Sequence, residues 1–498
     1  MSKILSIRSI VTQAYIWLAL PLLVFFAAWL RWYVALPSLA LLLFTFGYML
    51  RRRKDSSFFT SSHFADVKVN RKLIIIATLL LIYTIYCGVG GFFWQATSDH
   101  HFRSAVFFDL VKRPWPVTYP PLADGEPRML CYYIGYWLPA AVMGKLFSGY
   151  VMPGNFFLVL YTAWGLFIAI SLIISFTGGR PRYLILLIFL FFGGWDLFTS
   201  LIYATDQQRV SLNTFLISGI NYDSTIYHGT ANLSILTAQV FNQGIPALIG
   251  CLLVRFHWQK PQFLLLPFSL LFFIAPLPCV GLAVILIPHM LGNLKESSSW
   301  QNFASMGLCI VPALYFMQNR NAGTILWHIS DGLGPAVLES GIVWLCLGLG
   351  IFLPFIWPQV KRNVPFWTLV AFAFFAPFLQ MGQAQDFGLR AATPLSIYLL
   401  LLVTDAACRV RSWKTVRGKL FAVTLFLASF APAGIYYFIA YHAVADCIIG
   451  GAKAMRDRGQ GKLANPEENV FYNNFIATGD GFFSRHLMRH PVNKHDLP

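Results

Sequence analysis

The chain has 498 residues, 57% of them hydrophobic and only 11% charged, with a mean hydropathy of +0.62. A soluble domain carries roughly 25% charged residues, so water is not the main solvent here. Apolar runs of roughly 18 or more residues recur along the chain, each long enough to cross a hydrocarbon core of about 30 Å as a helix, and a β-barrel is excluded because its strands would alternate polar and apolar residues in runs of about 10.

The net charge of +17 is spread in short Lys/Arg clusters between apolar runs, so it reads as a set of topology signals and not as a nucleic-acid footprint. The eight cysteines show no CxxC pairing and sit mostly in apolar surroundings, which indicates neither a disulfide framework nor a zinc site.

In chain order, MSKILSIRSI leads into an apolar run without a small-residue cleavage site and predicts a retained signal anchor. Spans near 11–30 and 34–50 form an N-terminal hairpin within 1–72. The clusters Arg51, Arg52, Arg53, Lys54, then Lys68, Arg71 and Lys72, and later Arg409, Arg411, Lys414, Arg417 and Lys419 mark cytoplasmic loops. A span at 73–94 therefore delivers residues 95–128 to the outside. Segment 129–147 is apolar enough to cross, but crossing would turn Arg180 and Arg182 outward. It is expected instead as a juxtamembrane helix in the outer leaflet, with Trp137 and its tyrosines at the interface, so that 95–147 is outer loop plus helix.

Crossings at 153–176 and 183–200 put 201–232 outside, and 233–254 returns to Arg255 and Lys260. The run 263–291, broken by Pro276 and Pro278, is predicted as two short helices meeting near the outer side. Spans near 303–317, 335–357, 365–381, 391–408 and 420–442 complete the set. The expected fold is all-α and polytopic, with about 11–13 transmembrane helices in one domain, 1–442, and an extracytoplasmic tail, 443–498, forming a small amphipathic cap.

Three polar clusters are expected to share the outer face. The first is Ser98-Asp99-His100-His101, followed by Arg103 and Asp109. A carboxyl at a membrane surface beside imidazoles holds a proton near neutrality, which suits general-base work; a hydrated loop acid with two interface histidines fits equally well. Helical metal ligands sit at i, i+3 or i+4, so the adjacent histidines assign no metal. The second is the loop 382–390, in which Arg390 opens a helix and is suited to a phosphate, with an Asp386–Arg390 ion pair as the structural alternative. The third contains Asn221, Tyr222, Asp223, Tyr227 and His228, then Gln239, Asn242 and Gln243 in the following span, whose amides also suit helix–helix contacts. Asp196 and Asp331 read as structural.

A family resemblance rests on these features. The segment Leu130-Cys131-Tyr132-Tyr133-Ile134-Gly135-Tyr136-Trp137, running to Lys145-Leu146-Phe147-Ser148-Gly149, resembles the aromatic juxtamembrane helix of GT-C membrane glycosyltransferases. Phe241-Asn242-Gln243-Gly244-Ile245-Pro246-Ala247 looks like a degenerate PQHxLPG-type segment, and Gln385-Asp386-Phe387-Gly388-Leu389-Arg390-Ala391-Ala392-Thr393-Pro394 looks like an NDxxMRxSIP-type segment.

The resemblance implies sugar transfer from a polyprenyl-phosphate-linked donor to a hydroxyl of a glycan, lipid or protein, at the periplasmic or exterior face of a bacterial inner membrane. Asp99 would be the base; Arg390, His100 and His101 would hold the donor phosphate; Asp109, Tyr132, Tyr222, Asp223, Gln243 and Asp386 would line the substrate site. His100 stands where a second acid is expected, no DxD occurs, and Gly244 replaces the histidine of the PQH-type segment, so a divalent metal stays an open question. The alternatives are a lipid-linked-glycan or small-molecule transporter or flippase, an O-antigen-polymerase-like enzyme, and an acyltransferase relying on His289.

Overall fold

A computed structural model describes residues 4–51, 58–89, 99–121, 125–195, 232–320, 324–330, 332–381, 387–444, 463 and 472–490. The main helices are α1 (Ile7–Trp29), α2 (Trp32–Arg51), α3 (Arg71–Tyr86), α4 (Asp99–Lys112), α5 (Leu138–Leu146), α6 (Val151–Phe176), α7 (Tyr183–Leu190), α8 (Phe241–His257) and α9 (Leu265–Ile274). They continue with α10 (Pro276–Gly292), α11 (Trp300–Met317), α12 (Gly334–Trp344), α13 (Leu353–Val360), α14 (Val364–Phe375), α15 (Phe387–Ala391), α16 (Thr393–Arg409), α17 (Val416–Ala428) and α18 (Phe430–Val444).

Helix α8 is buried almost all round, and a helix in that condition belongs at the centre of a bundle. It packs on α1, α6, α9 and α16. Helices α1 and α6 are tied reciprocally: Trp17 donates from Nε1 to the Tyr161 carbonyl at 2.9 Å, the Tyr161 hydroxyl donates to the Trp17 carbonyl at 2.9 Å, and the two rings stack at 4.5 Å. Stacked aromatic pairs contribute about 0.5–1.5 kcal/mol beyond the area they bury. Gly165 of α6 permits this approach, since a Cβ there would lie 2.8 Å from the Trp17 ring.

Among the described residues three helices, Ile7–Trp29, Val151–Phe176 and Val416–Tyr441, are long and apolar enough to cross a membrane. A fourth crossing is available if Gly334–Gly350 and Leu353–Val360, bent by 81°, count as one. Several expected spans are shorter helices, because proline and glycine interrupt them. The run 263–291 breaks at Ala275, one residue before Pro276, and its later helix returns to the end of α8: His289 shares a hydrogen bond from Nε2 with the Trp258 carbonyl at 3.0 Å and stacks on that indole at 4.1 Å. Large apolar side chains face outward at helical spacing, among them Phe303, Met306 and Ile310 on α11 and Leu420, Val423 and Phe426 on α17. Contiguous apolar surface of this kind suits lipid contact.

The bundle has two unlike ends. At one, the basic loops gather. The Ile7 N–H donates to Asp66 Oδ1 at 2.7 Å, the Lys68 N–H to the Gly179 carbonyl at 3.0 Å, Arg182 Nη1 to the Cys408 carbonyl at 2.7 Å, and Lys260 Nζ to the Thr60 carbonyl. Two short strands, β1 (Ile4–Leu5) and β2 (Val67–Lys68), pair antiparallel there.

At the opposite end lies a layer of short strands. β3 (Thr118–Tyr119) pairs with β4 (Arg128–Leu130), β5 (Ile325–Trp327) with β6 (Leu379–Met381), and β7 (Ile476–Thr478) joins the free edge of β4. Segment 129–147 is therefore not one interfacial helix: it is strand, a 3₁₀ turn over Ile134–Trp137, and α5. Tyr136 and Trp137 are fully buried instead of lying at an interface: Tyr136 packs against Trp17, Tyr161 and Phe241 of the bundle, and Trp137 against Tyr132. The tail departs from a separate cap in the same way. Its residues 472–490 thread into the layer, where Phe475, Ile476, Phe483 and Met488 are buried and the Arg489 N–H donates to the Trp29 carbonyl at 2.8 Å.

Tyr315 of α11 ties this layer to the bundle. Its hydroxyl accepts from the Tyr132 N–H at 3.1 Å and lies 3.1 Å from the Leu130 carbonyl and 3.2 Å from the Tyr132 carbonyl. Removing it leaves a buried N–H unsatisfied, which costs about 1–3 kcal/mol. Tyr315→Phe is expected to lower the melting temperature of the purified protein, with the loss concentrated as faster hydrogen exchange at residues 129–134 and 475–478; an unchanged exchange pattern refutes the role.

Candidate functional site

The polar residues of the opposite end are held by α4 and by the start of α8. Helix α4 packs on α5 and α6. Asp99 is its first residue; the side chains of Asp99 and His101 lie outside the described residues. His100 is buried, donates from Nε2 to the Ala238 carbonyl at 3.0 Å, and stands edge-on to Phe241 at 5.6 Å. A carbonyl only accepts, so this contact fixes the Nε2–H tautomer in the neutral ring. His100, Arg103, Ser104, Phe107, Trp137 and Phe241 line a narrow cleft beside it.

Asp109, one of the expected substrate residues, has a structural task. It is buried, accepts from the Tyr119 hydroxyl at 2.8 Å and pairs with Arg113 at 3.4 Å. This clamps α4 to β3, and the Arg113 guanidinium lies 4.8 Å from the Tyr119 ring centre. Burial raises the Asp109 pKa above the ordinary carboxyl range, against the opposing effects of the Tyr119 hydrogen bond and Arg113.

The third cluster is only partly described, since Asn221, Tyr222, Asp223, Tyr227 and His228 lie outside the described residues. Its later part forms a π-turn over Ile235–Gln239 that runs into α8. The Thr237 hydroxyl meets the Tyr83 hydroxyl at 2.7 Å. Asn242 and Gln243 are buried, and neither side-chain amide has a hydrogen-bond partner among the described residues. Gly244 sits against the π-turn so closely that a Cβ would fall 1.9 Å from the Leu236 carbonyl oxygen. That contact leaves no room for a side chain at position 244. First and third clusters thus meet: His100 touches Ala238 and Phe241, immediately before Asn242 and Gln243.

The second cluster reaches the same end by another route. Helix α15 packs against α10, α14 and α16, and Gly281 of α10 lets the Ala391 carbonyl approach to 2.0 Å from where a Cβ would stand. Arg390 is half-buried on α15, while Asp386 lies outside the described residues. Helices α4 and α15 lean on different neighbours, and α8 touches both sets through α6 and α16. Tyr132 is nearly buried in an aromatic stack with Tyr133 at 4.2 Å and Phe475 at 4.3 Å. Among the described residues no group of three His, Cys, Asp or Glu side chains comes together as a metal site.

No protein-family model, no characterised protein and no solved structure matches the chain.

Sequence reasoning missed a second feature, a cavity of about 560 Å³ at the basic end, bordered by Arg255, Gln359, Lys361, Arg362, Asn363 and Tyr398. Of its basic residues only Arg255, at the end of α8, entered the sequence reading, as a topology signal; Lys361 and Arg362 lie between α13 and α14.

Two predictions follow from the site geometry. Because the folded-state pKa of Asp109 is raised, protonated Asp109 favours the fold; its increment is fully present below the unfolded carboxyl value and is lost as pH rises through the folded value. The melting-temperature difference between wild type and Asp109→Asn should therefore shift in favour of Asn as pH rises from about 4 to 7, and a pH-independent difference contradicts this account. Gly244→Ala should destabilise by about 1–3 kcal/mol or more, as overpacking does, read as a lower melting temperature and poor detergent-soluble yield; wild-type stability would show that the π-turn yields.

Proposed function

We propose that the chain is a polytopic membrane glycosyltransferase acting at the end that carries α4, with a polyprenyl-phosphate-linked sugar as donor. The observation that supports this most is the pair of buried amides of Asn242 and Gln243, without hydrogen-bond partners among the described residues, beside buried His100. An unsatisfied buried amide costs about 1–3 kcal/mol, so a site that keeps two of them is suited to a ligand rich in hydroxyls. Trp137 and Phe241 border the narrow cleft beside His100, and Tyr132 stacks on Trp137.

In this reading Asp99, at the head of α4, takes the proton from the acceptor hydroxyl as it attacks the anomeric carbon. The lipid phosphate leaves from the opposite face with inversion. Arg390, with His100 and His101, stabilises the charge that develops on it. The lipid tail lies against the apolar helix faces, in a bundle of about 11–13 crossings set in a bacterial inner membrane.

A transporter is the second reading, favoured by the 81° bend between Gly334–Gly350 and Leu353–Val360 and by the break at Ala275, since transporter sites are built on broken helices. A transfer assay on purified protein with a panel of polyprenyl-phosphate sugars separates the two. Asp99→Asn should lower kcat by about 10²–10⁴-fold, as loss of a general base does, and Arg390→Ala should lower kcat/KM. Full turnover in folded Asp99→Asn refutes the base, and substrate accumulation in vesicles without donor consumption replaces transfer by transport.

A further inference from the structure

We propose that the cavity at the basic end holds the phosphate headgroup of an anionic membrane lipid, gripped by Arg255, Lys361 and Arg362 with its acyl chains along the apolar lining. This site lies apart from the one above and stands whichever activity that one has.

The cavity is lined by both apolar and cationic side chains. Val254, Leu282, Ile285, Leu369, Ile397 and Leu401 come from four helices, α8, α10, α14 and α16. The cations are Arg255 from the last turn of α8, and Lys361 and Arg362 from the turn between α13 and α14. No carboxylate is among the lining residues. Asp405, which accepts from the lining residue Gln359 Nε2 at 3.0 Å, is already engaged, pairing with Arg409 at 2.8 Å.

Arg255 carries the argument furthest. Its guanidinium lies 5.5 Å from the Phe176 ring centre, and its Nε is buried with no hydrogen-bond partner among the described residues. A planar guanidinium in that condition offers a fork that fits a phosphate. Neutral donors lie close by: the Asn363 side chain donates to the Tyr398 hydroxyl at 2.6 Å, which leaves that hydroxyl's proton for an oxyanion. A soluble phosphoester would leave the apolar lining unused. A lipid uses both kinds of side chain, and a second groove supplies the way in: it is bordered by Lys361 and Arg362 and continues past Val364, Trp367 and Ala371 along α14. Val364 and Ala371 are exposed, as an entry from the bilayer requires. The basic loops are the ones the positive-inside rule sends to the cytoplasmic leaflet, where anionic lipids concentrate.

The test uses the full chain purified in a neutral detergent, with native mass spectrometry and tryptophan fluorescence as readouts; Trp258 and Trp367 border the two grooves. The probes are dioctanoyl phosphatidic acid, dioctanoyl phosphatidylglycerol, dioctanoyl phosphatidylcholine, dihexanoyl phosphatidic acid and inorganic phosphate. Saturable binding of the two anionic lipids is expected, at least tenfold tighter than the choline lipid and weaker for the shorter chains. Arg255→Gln and the double variant Lys361→Gln, Arg362→Gln should each weaken anionic binding tenfold or more while leaving the choline lipid unchanged. Both residues of the double variant are exposed, so it decides the matter if Arg255→Gln fails to fold. Equal binding of anionic and choline lipids overturns the proposal, as does wild-type affinity in the double variant. Inorganic phosphate binding as tightly as phosphatidic acid also overturns it, by assigning the site to a soluble anion.

Discussion

The strand layer at the end that carries α4 is tied to the bundle by one side chain, Tyr315. Its hydroxyl sits among three backbone groups of residues 130–132, its carbonyl accepts from Cys131 Sγ at 3.1 Å, and its ring packs on Phe25 and Phe483, each at 5.3 Å. One turn on, Gln318 Nε2 donates to the Thr478 carbonyl at 2.7 Å and Asn319 Nδ2 to the Asn473 carbonyl at 3.0 Å. Short strands have few ladder bonds of their own. In apolar surroundings their remaining backbone groups must be satisfied by side chains, and each failure is expensive. The end of α11 does this for β4 and β7 together, which is why the tail, the aromatic stack on Tyr132 and the α4 clamp all take their places from it.

The two ends of the bundle solve the helix-start problem differently. Helices that begin at the basic end are capped by side chains: Ser6, Asn70, Ser299, Asn363 and Thr415 each accept from the N–H three residues on. A cap of this type contributes about 1 kcal/mol where the first turn meets polar surroundings. Helices α10 and α16 begin inside the opposite half, where Ala275 and Thr393 are buried, and both open with proline. Proline deletes the donor that would otherwise be orphaned. One consequence is that several helix N-termini, with their positive ends, face the same side as the Lys and Arg loops.

The features legible in the sequence were those set by local composition. The apolar runs, the break before Pro276 and the gathering of Lys68, Arg182, Lys260 and Arg417 at one end follow from hydropathy, proline chemistry and charge. The meeting of His100 with the start of α8 was anticipated only as a shared side of the membrane. What was illegible depended on partners distant in sequence. Segment 129–147 has helical composition, yet Arg128–Leu130 becomes strand because residues 476–478, far along the chain, supply its edge. Asp109 looked like a site acid, and only the turn that brings Tyr119 back shows it to be a clamp. The cavity was hidden because its basic residues come from segments 255 and 361–362, which no spacing rule connects.

The ends also differ in what they leave over. Near α4 buried Asp109 is held by Arg113 and a phenol, and Asn242 and Gln243 add neutral hydrogen-bonding capacity that has no partner among the described residues. At the basic end the remainder is charge. Taking a guanidinium partly out of water costs several kcal/mol. The Phe176 ring returns about 0.5–2 kcal/mol, and the C-terminal dipole of α8 about 0.3–1 kcal/mol, so Arg255 is not balanced by its own protein neighbours. The difference falls to water or to an anion, and an anion is the stronger partner in low dielectric. Unpartnered amides near α4 favour a ligand rich in hydroxyls, whereas the cavity at the basic end offers cations without a lining carboxylate and so favours an anion.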